Sequence, residues 1–360
     1  MKNIIISLLI TFGIVIYACS SDQSSTSVID YKKEVPKTVT EKIILPSLED
    51  LLSKTNALKT AIDNFAANTN ETQLETSRNR LIEAYEAYAG VYIFNIGEVK
   101  NKFMNRRLNS WPVFNIAIEN NITSGNFDQS TISSLGSAAK NLPGLNYLLF
   151  KNTSVAEQLL EFQNNSNRLD FLVLLSDEFH SKITELHQIW SATGQNYAST
   201  FSNNEQEGLA SSFNMLYNGL YNVIDNCKVT KVGKPGGLEN SNFTNPEIVE
   251  NYYTGNSLDL ILKNLESIED VFFNDDITSI SDYINFIAKN DTLSNNLQTK
   301  ITNAKLSVTA INTPLKLAVE TQPVKVKKLH DDLNEVLVLM HNDIRSILSI
   351  IITGTDNDGD

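Results

Sequence analysis

Apolar residues recur along most of this chain at intervals of three and four. In "FLVLLSDEFHSKITELHQIW" the positions Leu172, Leu175, Phe179, Ile183, Leu186 and Trp190 form one stripe. That spacing places them on one face of an α-helix. The last long segment repeats the pattern with Leu329, Leu333, Val336, Met340, Ile344, Ile347 and Ile351. "TQLETSRNRLIEAYEAYAGVYIFN" does so with Leu74, Leu81, Tyr85, Tyr88 and Tyr92. No stretch alternates convincingly with the period of two that marks a half-buried strand. The period predicts helices over 44–68, 71–104, 131–150, 155–200, 204–227, 246–274, 276–312 with a break near Asn290, and 322–352. "NNITSGNFDQST" at 120–131 reads as a loop. "VGKPGG" at 232–237 reads as a helix break that opens a polar loop to about Asn245. Asn245-Pro246-Glu247 supplies a cap, a first-turn proline and an acid for the helix expected to follow. Helices of this number and length predict an all-α fold of two packed four-helix-bundle-like domains, at 41–200 and 201–353.

The N-terminus changes the picture of where the chain works. "MKNIIISLLITFGIVIYACSS" has a positive start and an apolar run from Ile4 to Tyr17. That run is short for a permanent membrane span. It ends in Ile16-Tyr17-Ala18-Cys19, which looks like a bacterial lipobox. The expectation is a lipoprotein signal peptide over 1–19 and a lipid on Cys19, with the membrane as a partner through that anchor. Ser20 rather than aspartate resembles outer-membrane sorting. The polar "SSDQSSTS" that follows is too poor in apolar residues to fold, so 20–40 reads as a flexible tether.

The chain holds 2 cysteines, so with Cys19 lipidated Cys227 has no intrachain partner and stability must come from packing. Cys227 in "NVIDNCK" reads as a small buried helix residue. The net charge of −13 argues against nucleic acid as a partner.

Several local patterns resemble the imelysin family, also called imelysin-like peptidases or insulin-cleaving membrane proteases. "LNSWPVFNIAIENNI" is similar to its Trp-Pro segment, "VGKPGG" to its Gly-Lys-Pro-x-Gly loop, and "VENYYTGNSLDLILKNLESI" to its Glu-Ser-x-x-Ser-x-x-Ser helix start. "TDNDGD" at the chain end resembles the family's Asp-Gly-Asp terminus. "LPGLNYLLF" resembles its Gly-x-His-x-x-Glu-Tyr-Leu-Leu-Phe segment, with Asn146 in the histidine position and Leu149 in the glutamate position. The resemblance spans about residues 40–360. It implies a two-bundle helical fold and an envelope protein often linked to iron uptake. It also implies a cleft to which Trp111, Asn146, Tyr147, Lys234, Glu250 and Ser257 would contribute. The family's peptidase label and suspected metal site rest on the His and Glu that this chain lacks.

The residues themselves do not supply that metal chemistry. His and Glu three apart share a helix face and can share a metal. Asn146 offers a neutral amide and Leu149 offers nothing, so the stretch reads more simply as the packed start of a core helix. The 4 histidines, His180, His187, His330 and His341, each follow an apolar stripe residue and so sit at seam edges. No HExxH spacing is present. The acidic tail 354–360 begins like a calcium loop but lacks the remaining ligands. No Gly-x-Ser-x-Gly or phosphate loop occurs. The leading expectation is a non-catalytic envelope lipoprotein that binds a small ligand or an envelope protein. No cofactor follows from the residues, and iron or another metal enters only through the resemblance. A peptidase with metal ligands among the four histidines, and a purely structural envelope protein, are the alternatives.

Overall fold

The computed structural model describes residues 29–239 and 241–354. The expected signal segment with Cys19 and the tail from 355 onward lie outside the described residues. Among the described residues there is no strand, and no helix is long and apolar enough to cross a membrane. The described residues from Tyr31 onward form one compact unit.

The chain opens with α1 (Tyr31–Val39), which runs through a π-helical turn, Thr40–Ile44, into α2 (Leu45–Ala67) and then α3 (Glu71–Val91). The stretch 20–40 therefore differs from a tether in its second half. Val35 and Val39 are fully buried, and α1 packs on a helix near the middle of the chain, so apolar contact overrides the polar local composition. Short helices follow: α4 (Gly97–Asn101), α5 (Met104–Leu108), α6 (Asn115–Ser124) and α7 (Gln129–Ser134). Then come α8 (Asn141–Phe150), α9 (Val155–Gln163), α10 (Ser166–Trp190), α11 (Tyr197–Ser202) and α12 (Ser212–Asn226). A π-helical segment, Cys227–Gly233, joins α12 to the one-turn α13 (Lys234–Gly236). The remainder is α14 (Ser257–Phe273), α15 (Ile280–Ala288), α16 (Thr292–Ala310), α17 (Leu315–Thr321), α18 (Pro323–Leu339), a third π turn at Met340–Ile344, and α19 (Arg345–Leu348).

Most of the predicted stripe residues are buried; Ile347 and Tyr92 are half-buried, and Ile351, beyond the end of the last helix at Leu348, is exposed. Leu172, Leu175, Phe179, Ile183 and Trp190 of α10 are 0–1 % exposed, and α10 packs on α2 and α8. α2 packs on α3, α16 packs on α18, and α14 packs on both α3 and α16. The buried apolar side chains form one cluster from Val35 to Ile350. Polar caps begin the helices where local chemistry permits. The side chain of Asn70 accepts the Gln73 N–H at 3.0 Å, and that of Ser211 accepts the Asn214 N–H at 3.1 Å.

The predicted helices break where the backbone must turn. The one expected over 71–104 ends at Val91, and the one over 155–200 is interrupted at Asn164–Asn165 and again after Trp190. The helix expected from 246 begins only at Ser257; Pro246–Ile248 is a 3-10 turn, and Asn251 and Gly255 take left-handed φ of 55° and 80°. The "VGKPGG" segment stays helical through Pro235 and ends at Gly237, whose φ of 67° suits the residue without a Cβ. Gly219 of α12 serves close approach instead, because a Cβ there would sit 2.5 Å from the Ile93 carbonyl oxygen. Gly219→Ala is expected to lower stability by about 1–3 kcal/mol through overpacking, read as a reduced denaturant midpoint.

Candidate ligand cleft

Three short stretches converge on one cleft. The first is the bend between α5 and α6, where Trp111-Pro112-Val113 passes through a cis Trp111–Pro112 peptide bond. The second is α8, which presents Pro143 and Asn146. The third is the loop from Asn245 to Tyr253 ahead of α14. Together they enclose a cavity of about 490 Å³. Half-buried Trp111, Tyr252 and Tyr253 form its walls and exposed Asn245 and Glu247 its rim.

Two buried amides at the cleft carry unmatched polar atoms. Asn146 is 1 % exposed; its Oδ1 accepts the Thr254 N–H at 3.2 Å, but its Nδ2 has no protein partner. Asn251 is 4 % exposed, donates from Nδ2 to Asn256 Oδ1, and leaves its own Oδ1 without a partner. An unmade hydrogen bond at a buried polar atom costs about 1–3 kcal/mol, so such groups usually await a ligand or water.

Beneath the cavity lies a polar floor joined by hydrogen bonds and one ion pair. The Tyr85 hydroxyl donates to Asn109 Oδ1 at 3.2 Å, and Asn109 Nδ2 donates to Glu250 Oε1 at 2.7 Å. Lys231 Nζ lies 2.8 Å from Glu250 Oε2 and donates to Asn264 Oδ1 at 2.8 Å. Asn264 Nδ2 closes the chain on the Ala89 carbonyl at 2.7 Å. Lys231 and Glu250 are each 3 % exposed. The ammonium also faces the rings of Tyr92 and Trp111, at 5.7 Å and 6.0 Å from their centroids. Burial pushes the Tyr85 hydroxyl well above its ordinary pKa, and the Glu250 charge adds to the rise. The Ser257 hydroxyl donates to the Glu250 carbonyl, which fixes the loop ahead of α14.

The sequence-derived residues divide accordingly. Trp111 and Asn146 line the cleft, and Glu250 and Ser257 hold its floor and loop. Tyr147 sits behind the wall: its ring meets Tyr253 edge-on with centroids 5.2 Å apart, and its hydroxyl donates to Glu119. Burial and that acceptor raise its pKa. Lys234 belongs to α13 and does not line the cavity; Lys231, one turn earlier, is the lysine joined to Glu250. The π-helical segment changes the register there, an effect the even 3.6-residue pattern does not reveal. Sequence reasoning also passed over Tyr85, Asn109, Asn251, Asn264, Tyr252 and Tyr253. The run "ENYYTGN", helix-poor and rich in amide and aromatic groups, was the available signal for three of them.

The residues do not fit the metal implied by the lost motif. Leu149 is fully buried among apolar side chains, and its carbonyl accepts Arg78 Nε at 2.8 Å. The histidines do not meet one another. His180 contacts Asn56 at 2.6 Å, His187 Glu49 at 2.7 Å, His330 Glu239 at 2.7 Å and His341 Tyr221 at 3.4 Å. Among the described residues no group of three or more His, Cys, Asp or Glu side chains is placed to hold a metal ion. Cys227 is buried and free, as the sequence predicts, and burial pushes its thiol up to about 11. Peptide mapping at about pH 8 is expected to show Cys227 unlabelled by iodoacetamide until the protein unfolds.

A larger open groove of about 960 Å³ lies between α2, α3 and α14. Its charges are mixed, Lys54 and Lys263 against Asp50, Glu86 and Asp259 among others. Among the described residues none of its lining side chains carries a buried unpaired polar atom. The smaller cleft is the one with groups prepared for a ligand.

Comparisons with known proteins agree with the fold. An imelysin-like protein from Psychrobacter arcticum 273-4 has a similar structure, with a TM-score of 0.72 at 14% identity over 91% of this chain and 99% of that one. A protein described as a candidate iron-regulated protein A precursor from Parabacteroides distasonis ATCC 8503 gives a TM-score of 0.73 at 19% identity, over 90% of this chain and 97% of that one. At these identities the likeness speaks for the fold. Comparison with curated proteins finds no match. The imelysin family model matches residues 44–340, most of the helical unit that builds the cleft, and the chain belongs to the imelysin family.

Proposed function

We propose that this imelysin-family protein is a lipid-anchored protein of the cell envelope that binds a small ligand in the Trp111–Asn146 cleft and does not hydrolyse it. The observation that carries this reading is that Asn146 and Asn251, two buried residues that line one aromatic-walled cavity, each carry an unmatched amide atom. A hydrolase would need an activated nucleophile or water. The polar groups at the cleft are instead amides, tyrosine hydroxyls, the exposed Glu247 at the rim, and beneath them a lysine and glutamate paired with each other. The division into bundles at 41–200 and 201–353 would make the cleft a seam. Trp111 and Asn146 come from the first bundle, and the 245–253 loop comes from the second. Cys19 would tether this unit to the outer membrane.

The link to iron rests on the Parabacteroides relative and on the family resemblance. On that support we place the protein in iron acquisition, where iron would set when the protein is made without dictating what the cleft holds. The test is thermal. A small-molecule extract of the producing cell's envelope should raise the melting temperature of the wild-type protein and leave that of Trp111→Ala unmoved. Zinc- or iron-dependent cleavage of casein by the purified protein would contradict the reading.

A further inference from the structure

The chemistry lining the cleft restricts its ligand more narrowly than the family does. Among the described residues no lysine or arginine lines the cavity. Lys231 lies under the floor and is paired with Glu250. Lys316 donates to the Tyr252 carbonyl at 2.7 Å and is held over the Tyr252 ring. The one charged side chain in the lining is Glu247, exposed at the rim. A carboxylate, phosphate or sulfate entering this space would meet a like charge and no cation. Anionic ligands, including anionic ferric chelates, are therefore disfavoured.

What the cavity does offer is flat apolar faces beside amides. Trp111, Tyr252 and Tyr253 supply half-buried rings, whose faces carry negative charge density and attract polarised C–H groups. Asn115, Asn146, Asn245 and Asn251 supply carboxamides, each able to donate and accept. Asn146 Nδ2 is a free donor and Asn251 Oδ1 a free acceptor, both on side chains more than nine-tenths buried. A pyranose ring matches this set. Its axial C–H face stacks on an aromatic ring, and its vicinal hydroxyls each give one hydrogen bond and take another. The cavity of about 490 Å³ admits one to three sugar rings.

Resting on the ligand-cleft reading, we infer that the Trp111–Asn146 cleft binds a neutral saccharide, with Trp111 as stacking platform and Asn146 and Asn251 as the hydroxyl-reading pair. A peptide would also use amides, but its terminal or side-chain carboxylates would meet Glu247 and no lining cation.

The test is a glycan array carrying neutral, carboxylated and sulfated glycans, probed with the fluorescently labelled protein. Hits are then measured by calorimetry on the wild type, Trp111→Phe, Tyr252→Ala and Asn146→Leu. Circular dichroism establishes that each variant is folded. The expected result is binding confined to neutral glycans. Asn146→Leu and Tyr252→Ala should each weaken it about tenfold or more, and Trp111→Phe by less. Binding only to charged glycans, or to none, overturns the saccharide assignment. Wild-type affinity for a neutral glycan in folded Asn146→Leu and Tyr252→Ala overturns the site. These failures are separable from failure of the ligand cleft itself. If the envelope extract still stabilises the wild type but not Trp111→Ala, the cleft stands and only the ligand class falls.

Discussion

Lys231→Met is expected to destabilise the protein by about 3–5 kcal/mol, the range found when one partner of a buried ion pair is removed. Methionine fills much of the lysine's volume, so the loss is electrostatic rather than a cavity. It leaves the Glu250 carboxylate 3 % exposed with only the Asn109 amide to answer it, and leaves Asn264 Oδ1 with only the weak Cys227 thiol donor at 3.6 Å. The double variant Lys231→Met/Glu250→Met should be markedly more stable than the single one, because the uncompensated charge is gone. It should not regain wild-type stability, since Asn109 and Asn264 each lose a partner. Urea unfolding of all four members of the cycle, including Glu250→Met, measures the coupling directly. A single variant within about 0.5 kcal/mol of wild type would mean that the pair is solvated and that the floor of the cleft is not rigid.

The second large effect concerns the vanished motif. Leu149→Glu would restore the family's carboxylate but place it at a fully buried position that meets apolar neighbours. Several kcal/mol of stability, about 3–5, should be lost at neutral pH. The sign with pH is distinctive. Burial raises the folded-state pKa of the new carboxyl above its unfolded value of about 4.3. The penalty is therefore largest at pH values above the raised folded pKa, where the folded state must hold a charge. It shrinks as the pH falls and is smallest below about 4.3, where both states are protonated. Parallel melting curves for the variant and the wild type from neutral pH down to that value should converge. Curves equally far apart at every pH would place the cost in overpacking instead.

Both effects bear on what was readable in the linear chain. The stripes of α10 and α18 declare a helical core because a buried face must repeat with the helix, and those residues are buried. Cys227 was legible for the same reason. The cleft was legible only where motif resemblance pointed, at Trp111, Asn146, Glu250 and Ser257. Its remaining parts arise from departures from regularity. Lys231 enters through a π-helical segment, and Asn251 through a left-handed backbone turn inside a stretch whose composition suggests continuous helix. Lys234 was the natural choice in "GKPGG", but its neighbour one turn back holds the buried partner. The α1 helix shows the converse, since its local sequence is polar and its helicity comes from the face that meets α12 and α11. Local propensity yields to tertiary contact there.

On the proposed reading the cleft holds its ligand through amide and aromatic groups and not through a metal. Isothermal calorimetry of zinc and ferrous iron into the purified protein tests it most directly, with Asn146→Leu as the comparison. The account predicts no stoichiometric high-affinity binding in either protein. One-to-one binding that is tight in the wild type and lost in folded Asn146→Leu would show that the degenerate motif still anchors a metal, and would contradict the account.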